Sequence, residues 1–551
     1  MKTMRARAVR AGATALLITA SAATVSACHI VSSGADSHSP VTYYLSPSGN
    51  DGAAGTSPAT AWRTLGRASA ASLKPGTRLL LQAGAVFTGQ LTLGPKDGGS
   101  ATDPVVVGTY GNGTAKIHSP IGSGVYVHDT GGVEIENLQL TGSPHPGEGD
   151  GINAYNDLPA GHRLGHITIS NVSASGFIYG ITVGGLNKNA GFSDVKISNA
   201  NLHDNIDAGL LTYGPTFDSQ APTYANQRVT VSNVQASMNR GNRAEHKQDT
   251  GNGIVLGSVD AGSVIWSTAN DNGGLGVASE GPAGIWTYDS TGVNIEHNLS
   301  YGNKTPNKID GNGFGLDQNT ADSVLQYNLS YGNDGTGYLL YSALNNGSQK
   351  DNIIRDNISS NDVRDGNTFY AGITVIGYTK NSAVYQNTVV MDSAATGTPP
   401  LLRLGPAVRG ISILNNLFST ESGPAVATSS PLSESAVMLQ GNDYFSVLGP
   451  WQVVWGQTIY NSLSDWRAGT SQETAAGEPT GLDVDPEMEG PVLGLSVNSP
   501  MAPAAAAGFG LRPGSPLIGA GLDLIKLGVH PAATDYTGQT QPVQHPNVGA
   551  L

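Results

Sequence analysis

The sequence predicts an all-β solenoid, in which short strands follow one another along a coil and each coil stacks on the one before. A unit of about 30 residues repeats between Gly281 and Asp362, and its first asparagine recurs at Asn298, Asn328 and Asn357. The apolar stretches of this unit are short and rich in β-branched residues, which favours strands over helices. Glycine makes up 74 of 551 residues, well above the usual share of about 7%, which indicates many tight turns.

Each repeat also carries a second asparagine, at Asn303, Asn333 and Asn361. One coil of two or three strands that climbs by a strand spacing of about 4.8 Å is the geometry of a parallel β-helix. We expect the repeated asparagines to lie inside turns. There each amide would bond the turn backbone and the asparagine of the next coil, as a structural ladder.

The N-terminal residues read as a processing segment rather than as part of the fold. A basic start is followed by an apolar stretch from Ala11 to Val25 and then by the run VSAC, which ends at Cys28. This run resembles a bacterial lipobox, so we expect residues 1–27 to be a lipoprotein signal peptide and Cys28 to carry lipid. Plain secretion is the alternative. The chain has one cysteine, which leaves no pair for a disulfide.

A flexible tether and three structural parts are expected after the signal peptide. In order, these are the tether, an N-terminal cap with the first strands, the β-helix coils and a C-terminal end segment: 28–40, 41–100, 101–445 and 446–551. Within the cap, Tyr43–Ser46 and Leu79–Gln82 read as strands. Residues Trp62–Ala71 read as a short helix that covers the open end of the solenoid.

Further apolar triplets along the chain bring the expected number of coils to ten or more. The triplets expected to be strands are Val105–Val107, Val133–Ile135, Ile167–Ile169, Val195–Ile197, Val229–Val231, Val264–Trp266, Ile411–Ile413 and Val437–Leu439. Several are followed by an asparagine that we expect to act as a repeat asparagine, namely Asn137, Asn171, Asn199 and Asn233.

Motifs at both ends of the chain resemble one known group of proteins. The order Tyr-Leu-Ser-Pro from Tyr44, then Gly-Thr, Trp-Arg-Thr-Leu and Leu-Lys-Pro-Gly, is similar to the N-terminal cap of the pectate-lyase-like superfamily of right-handed parallel β-helix proteins. The run Phe509–Gly521 looks like the C-terminal end segment of that superfamily. The resemblance implies a right-handed parallel β-helix, and its members include secreted bacterial polysaccharide lyases and glycoside hydrolases. It implies the reaction only weakly, because one fold hosts many chemistries.

The formal net charge of −14 argues against nucleic acid as a partner, since nucleic-acid binding demands a basic surface. No stretch after the N-terminal segment is long and apolar enough for a membrane helix. We therefore expect an exported, cell-surface monomer whose membrane contact is made only by the N-terminal lipid, with a polysaccharide as its partner.

Candidate substrate-binding residues lie on strands that begin with glycine. Because side chains alternate along a strand, the third and fifth residues of each should point outward. The fifth residues are Tyr155, Tyr213, Gly257, Tyr288, Asp317 and Tyr341. Aromatic rings suit the flat face of a pyranose, so Tyr213, Trp286, Tyr288 and Tyr341 are predicted to bind substrate. The alternative is a set of tyrosines packed under a loop.

Candidate catalytic residues precede and follow the same strands. Asp310 and Asp334 each lie three residues before a glycine on successive coils, so in register they would stand roughly 5 Å apart. At that distance one pKa rises or a cation is shared. Glycoside hydrolases use such carboxyl pairs, and we predict Asp310, Asp334 and Asp317 as catalytic. Ordinary Asp-Gly turn chemistry is the alternative. The surrounding block also resembles a β-helix motif that has Asp at the position of Gly315, which places any role of that position in doubt.

The insertion 241–251 holds the densest ionisable cluster of the chain. It favours a second hypothesis, a Ca²⁺-dependent lyase that performs β-elimination on a uronate polymer. Lys247 would then be the base, while Arg243 and His246 would bind substrate. The carboxylates that would hold Ca²⁺ in that case are Asp249, Glu280 and Asp310. A solvated loop is the plain alternative, and a non-catalytic glycan-binding lipoprotein is the third hypothesis for the protein.

Overall fold

A computed structural model describes residues 40–143, 149–392, 397–490 and 506–551. The predicted fold class is confirmed, because the described chain is a parallel β-solenoid with very few helical residues. Cys28, the signal peptide and the tether up to residue 39 lie outside the described residues. Among the described residues, no helix has the length and apolarity that a membrane crossing requires.

The strands are short and follow the chain around the solenoid. In chain order they begin with β1 (Thr42–Leu45), β2 (Arg78–Gln82), β3 (Val86–Thr88), β4 (Leu91–Leu93), β5 (Val105–Tyr110), β6 (Ala115–His118), β7 (Val125–His128), β8 (Val133–Glu136), β9 (Leu138–Thr141), β10 (Ile152–Tyr155), β11 (Leu164–Ser175), β12 (Tyr179–Gly184), β13 (Phe192–His203) and β14 (Ala208–Tyr213). They continue with β15 (Asn226–Ser237), β16 (Asn252–Gly257), β17 (Val259–Ile265), β18 (Thr268–Asn270), β19 (Ala283–Tyr288), β20 (Thr291–Glu296), β21 (Leu299–Tyr301), β22 (Asn312–Leu316), β23 (Val324–Gln326), β24 (Leu329–Tyr331), β25 (Tyr338–Ser342), β26 (Ile353–Arg355), β27 (Ile358–Ser360) and β28 (Ile373–Gly377). The last are β29 (Ala383–Tyr385), β30 (Thr388–Met391), β31 (Leu402–Leu404), β32 (Ile411–Leu414), β33 (Leu417–Thr420), β34 (Val426–Thr428), β35 (Val437–Gln440), β36 (Asp443–Ser446), β37 (Val453–Trp455), β38 (Thr458–Tyr460), β39 (Thr474–Ala475) and β40 (Glu478–Pro479).

These strands form three faces along the solenoid. The third face is one sheet of thirteen parallel strands, closed by the antiparallel β38: β4, β7, β10, β12, β14, β16, β19, β22, β25, β28, β31, β34 and β37. The other strands of each coil make the first and second faces, as β20 and β21 do before β22. Side chains alternate in and out, so that Val293 and Ile295 of β20 are buried while Glu296 is partly exposed. The apolar core therefore fills the inside of every coil.

The corner between the first and second faces changes along the chain. In the N-terminal coils a single strand of 12 residues, such as β11 or β13, crosses this corner. Asn171, Asn199 and Asn233 take the left-handed backbone conformation there, with φ of 52–53°, and their side chains are exposed. Asn233 donates to Asn199 of the neighbouring coil at 2.6 Å, as expected of repeat asparagines, but these side chains lie on the outside of the coil and not in the buried ladder of Asn298. Asn137 takes the same conformation, with φ of 57°. The corner of these coils needs a residue that tolerates positive φ, and asparagine does.

Two ladders of buried asparagines confirm the structural role predicted for the repeat. One ladder runs through Asn298, Asn328, Asn357, Asn387, Asn416 and Asn442 and ends on Glu473. The other runs through Asn205, Asn239, Asn272, Asn303 and Asn333 and ends on Asp362. The prediction that Asn361 belongs to this ladder is thus wrong by one residue. Asn361 instead donates to Asp392 at 3.0 Å, and Asp362 takes the inner position.

Two short helices lie near the ends of the core. Helix α1 (Leu65–Ala70) lies within the predicted Trp62–Ala71, and the Thr64 side chain caps it by accepting the Arg67 N–H. Helix α2 (Leu463–Thr470) was not predicted. It buries Trp466 fully against Tyr444 and other aromatic rings, so it covers the last coils. Two 3₁₀ turns are also present, at Pro58–Thr60 and Ala507–Phe509.

Residues 506–551 pack against the outside of the coils. Tyr327 donates its hydroxyl to the Thr534 carbonyl at 3.0 Å, and the Asn415 amide donates to the Leu522 carbonyl at 2.9 Å. These bonds hold the C-terminal residues on the first and second faces.

Candidate active site

A cavity of about 490 Å³ lies on the third face, over strands β14, β16, β19, β22 and β25. Its lining combines aromatic rings with carboxyl groups. The lining residues are Tyr179, Asp207, Ala208, Leu211, Gln248, Asp249, Asn252, Val255, Glu280, Gly281, Trp286, Tyr288, Asp289, Asp310, Asp317, Gln318, Tyr341 and Ala343. Seven of the predicted acidic and aromatic site residues thus meet at one place: Asp249, Glu280, Trp286, Tyr288, Asp310, Asp317 and Tyr341.

The strands of the third face place these side chains by simple alternation. On β19, Ile285 and Thr287 are buried, whereas Trp286 and Tyr288 are partly exposed on the outer side. The indole N–H of Trp286 donates to the Asn252 side-chain oxygen at 2.9 Å, which fixes the ring over the neighbouring coil. The Trp286 and Tyr288 ring centroids are 5.3 Å apart. Together these rings form an aromatic wall of the cavity.

Glycines of neighbouring coils make room for the tyrosine rings. Gly257 is paired with Tyr288 across β16 and β19, and a Cβ built on Gly257 would overlap the Tyr288 ring. Gly184 is paired with Tyr213 in the same way and would likewise clash with it. Tyr213 is therefore seated on the same sheet, but it is not among the residues that line the cavity.

Asp310 lies just before β22 and is held by three donors. The Gly281 N–H and the Asn312 amide each donate to its carboxylate at 2.9 Å, and the Tyr370 hydroxyl donates at 3.2 Å. Burial raises the pKa of Asp310, while these three hydrogen bonds act in the opposite direction because they stabilise the charged form. The donors therefore favour a carboxylate at this position.

Asp317 follows β22, at the opposite end of the same short strand. Burial raises its pKa to about 8, and the negative charges of Asp310, Asp249 and Glu280 add to the rise. One backbone donor, the Gln318 N–H, bonds its carboxyl group at 2.6 Å. Asp317 is therefore mostly protonated at neutral pH, so it can donate a proton.

Two more acidic groups of the lining are shifted in the same direction. Burial raises the pKa of Asp249 to about 6, although its hydrogen bond from the Asn252 amide acts against the rise. Burial also raises the pKa of Asp207 to about 6, against a hydrogen bond from the Tyr179 hydroxyl. Each of these carboxyl groups thus changes charge close to neutral pH.

Asn252 and Asn312 are residues of the site that the sequence analysis missed. Each amide nitrogen donates to a cavity carboxylate, Asn252 to Asp249 and Asn312 to Asp310. Each amide oxygen accepts a backbone N–H of the next coil, from Ala283 for Asn252. The signal that could have revealed them is an Asn directly before the glycine of two glycine-led strands.

Several predicted site residues lie outside the cavity. Asp334 bonds Lys304 at 3.1 Å and the Thr305 N–H at 3.1 Å, and it does not line the cavity. Arg243, His246 and Lys247 are exposed on their loop and do not line it either. That loop contributes Gln248 and Asp249 instead. The roles predicted for these residues stay predictions.

A Ca²⁺ site takes six to eight oxygen ligands that converge on one point. Among the described residues, one group of three possible metal ligands lies within 4.8 Å, and it is His128, Asp129 and Asp157, away from the cavity. The carboxylates of Asp249, Glu280 and Asp310 do not form such a group. The calcium site stays a prediction.

Comparisons with known proteins concern the fold. No protein-family model matches the chain, and no curated protein matches it. The crystal structure of a GH136 lacto-N-biosidase from Eubacterium ramulus matches with a TM-score of 0.50 and 16% sequence identity, over 66% of this chain and 65% of that one. The chain is a right-handed parallel β-helix.

Other β-helix structures match less closely. Pectate lyase Pel9A covers 93% of this chain and 96% of its own length, at 16% identity and a TM-score of 0.40. The complex of XylC with xylose covers 81% of this chain and 87% of its own length, at 10% identity and a TM-score of 0.47. The chain spans about two thirds of the length of the lacto-N-biosidase. At these identities the likeness shows the fold and no more.

Proposed function

We propose that this β-helix protein is a carbohydrate-active enzyme of the glycoside hydrolase type, which cleaves a polysaccharide in the cavity of the third face. The observation that carries the proposal is a pair of carboxyl groups at the two ends of β22, which differ in their hydrogen-bond donors: three side-chain and backbone donors hold Asp310, whereas one backbone donor holds Asp317. Asp317, with a pKa of about 8, is the acid, and three donors stabilise the charged form of Asp310 against the rise in pKa that its burial causes. Such a pair supplies the acid and the base or nucleophile of glycoside hydrolysis.

In this mechanism Asp317 donates its proton to the glycosidic oxygen as the bond to the sugar carbon breaks. The positive charge that develops on the sugar ring is stabilised by the carboxylate of Asp310, which then acts either as nucleophile or as the base that activates water. Asn312 and Tyr370 position Asp310 through their hydrogen bonds. Trp286, Tyr288 and Tyr341 offer ring faces against which a pyranose can pack.

The lyase hypothesis gains no support from the geometry. A uronate polymer is anionic, and the cavity lining contains six acidic residues and no lysine, arginine or histidine. The lining would repel such a substrate. The predicted base Lys247 is exposed outside the lining. The fold of the GH136 lacto-N-biosidase, whose name denotes a glycoside hydrolase, is compatible with our proposal, but the cavity is its basis.

Product analysis tests the proposal directly. The purified protein would be incubated with a panel of polysaccharides, and new reducing ends and ultraviolet absorbance of unsaturated ends would be measured together. New reducing ends without that absorbance are expected. Absorbing products would instead establish a lyase, and glycan binding without any products would establish a binding protein. Either of these two outcomes would contradict the hydrolase proposal.

The pH dependence of the reaction follows from the raised pKa of Asp317. The group is active while protonated, so we expect kcat/KM to fall as pH rises through about 8. An enzyme whose acid had the usual carboxyl pKa of about 4 would lose activity at far lower pH. The measurement is a pH–rate profile in buffers of constant ionic strength. A profile that stays flat from pH 6 to 10 would rule out Asp317 as the acid.

The packing of the Tyr288 ring against Gly257 gives a prediction about substrate binding. In Gly257→Ala the new Cβ would overlap the Tyr288 ring and force it out of place. Because the ring then no longer lines the cavity correctly, we expect KM to rise about tenfold. The matched control is Gly94→Ala, where a Cβ meets nothing within 4 Å. Steady-state kinetics would compare the two, and an equal KM in both variants would show that Tyr288 does not bind substrate.

A further inference from the structure

The cavity holds more carboxyl groups than glycoside hydrolysis requires. Catalysis uses Asp310 and Asp317, which leaves four further acidic residues in the lining: Asp207, Asp249, Glu280 and Asp289. Each carboxylate near another disfavours the charge of its neighbour, so an acidic lining of this kind costs stability unless something offsets it. No basic side chain of the lining does so.

Three of the surplus carboxyl groups form a row with the catalytic Asp310. Asp207, Asp249, Glu280 and Asp310 each lie one to three residues before a strand of the third face, and those strands are β14, β16, β19 and β22. These four strands are consecutive neighbours in the sheet. The row therefore supplies one acidic residue per coil along the solenoid axis, at a repeat of about 4.8 Å. This repeat is close to the rise per sugar unit of an extended polysaccharide.

A row spaced in this way differs from a site for a single divalent cation. No three ligand atoms of the cavity carboxylates lie within 4.8 Å of one another, among the residues that the structure describes. The aromatic wall of Trp286 and Tyr288 lies over the same coils. Aromatic faces attract both the apolar face of a pyranose and an organic ammonium group. The lining thus suits a ligand that is both a sugar and a cation.

We propose that the substrate is a polysaccharide of hexosamine units with free amino groups, whose ammonium groups lie along the non-catalytic members of the row, Asp207, Asp249 and Glu280. This inference rests on the proposed function, since it assigns the substrate class of the same cavity. The sugar rings pack on the aromatic wall, and each positive charge meets one carboxylate of the row. A polymer whose amino groups are acetylated lacks these charges and binds less well.

The test compares two probes that differ in the acetylation of their amino groups and therefore in charge. Glucosamine hexamer and N-acetylglucosamine hexamer would be titrated by calorimetry into the full-length Asp317→Asn variant, which we expect to bind substrate while its turnover is strongly reduced. We expect the glucosamine hexamer to bind at least about 100-fold more tightly at low salt. We expect this ratio to shrink as salt is added, because salt screens the ion pairs. Equal affinity, or tighter binding of the acetylated hexamer, would overturn the inference.

Variants of the row provide a second test. Asp207→Asn and Glu280→Gln keep the shape of each side chain and remove one charge, and each should lower the affinity ratio of the two hexamers about tenfold. The matched control is Asp194→Asn, an exposed residue that pairs with Arg228 on β15 at 2.7 Å, and its ratio should equal that of the parent protein. Affinity ratios that do not change in the row variants would contradict the assignment.

Further outcomes separate this inference from the proposed function. If the wild-type protein cleaves neutral polysaccharides and does not bind the glucosamine hexamer, the substrate class is wrong and the hydrolase proposal stands. If the glucosamine hexamer binds but no polysaccharide is cleaved, the row is a binding site and the hydrolase proposal fails. Calcium that binds tightly and displaces the glucosamine hexamer would assign the row to a metal and overturn the inference.

Discussion

Replacement of Asp317 by asparagine is expected to lower kcat by a factor of about 10² to 10⁴, the usual contribution of a general acid, with little change in KM. Asparagine keeps the size of the side chain and its hydrogen bond from the Gln318 N–H, but it cannot donate a proton to a leaving oxygen. The loss should be smallest for substrates with a good leaving group, which need no proton. Steady-state kinetics on natural and activated glycosides would measure both effects.

The stability of the same variant shows whether Asp317 acts in chemistry or in folding. Its folded pKa of about 8 is raised above the unfolded value of about 4. The stability that the protonated group contributes is therefore fully present below pH 4 and is lost as pH rises through about 8. Asparagine has no charge to bury, so Asp317→Asn should be more stable than the parent at pH 9. A variant with full turnover, or one that unfolds, would contradict the catalytic role.

The features that the sequence predicts correctly are those that follow the repeat of the coils and the alternation of side chains along a strand. Alternation within a strand and recurrence after about 30 residues place Trp286, Tyr288, Asp317 and Tyr341 on one outer surface, and the structure finds all four in the cavity lining. The ladder asparagines follow from the same recurrence. These features depend on local spacing and on the stacking of coils, both of which can be read from the order of residues.

The sequence does not predict which individual side chains point into the cavity. Asp310 and Asp334 share the same offset from their glycines, yet Asp310 turns toward Gly281 and Tyr370 whereas Asp334 turns toward Lys304. The difference is made by Tyr370, which lies sixty residues away in the chain. The loop that carries Lys247 shows the same limit, because its length hides which of its side chains reach the cavity.

The coil of β12 shows a different limit. Its strand has a glycine in the same leading position, but the sequence analysis did not include it among the glycine-led strands. The pairing of Gly184 with Tyr213 was therefore missed. With that coil included, glycine and tyrosine alternate from Tyr155 to Tyr288 in the fifth column. A bulky ring needs space above a coil, and the glycine next to it supplies that space. The alternation is therefore a packing rule, which the column of fifth residues without Gly184 does not reveal.

The fold itself should fail when one rung of the asparagine ladder is removed. Asn328 is fully buried and bonds three neighbours: it accepts from the Asn298 backbone and amide, donates to the Ile295 carbonyl, and donates to the Asn357 amide oxygen. Asn328→Ala leaves several of these groups without a partner inside the protein. Each buried unsatisfied group costs about 1–3 kcal/mol, so we expect a total loss of about 3–6 kcal/mol.

Hydrogen exchange locates this loss better than a single melting temperature, because a long solenoid can open in one region while the rest stays folded. In Asn328→Ala, amides of β20, β23 and β26 should lose protection first, since the coil on each side of the missing rung stacks on it. The control Asn201→Ala removes an exposed asparagine of β13 and should change stability by no more than about 0.5 kcal/mol. Equal protection in both variants would mean that apolar stacking alone holds the coils together, and that the ladder only sets their register.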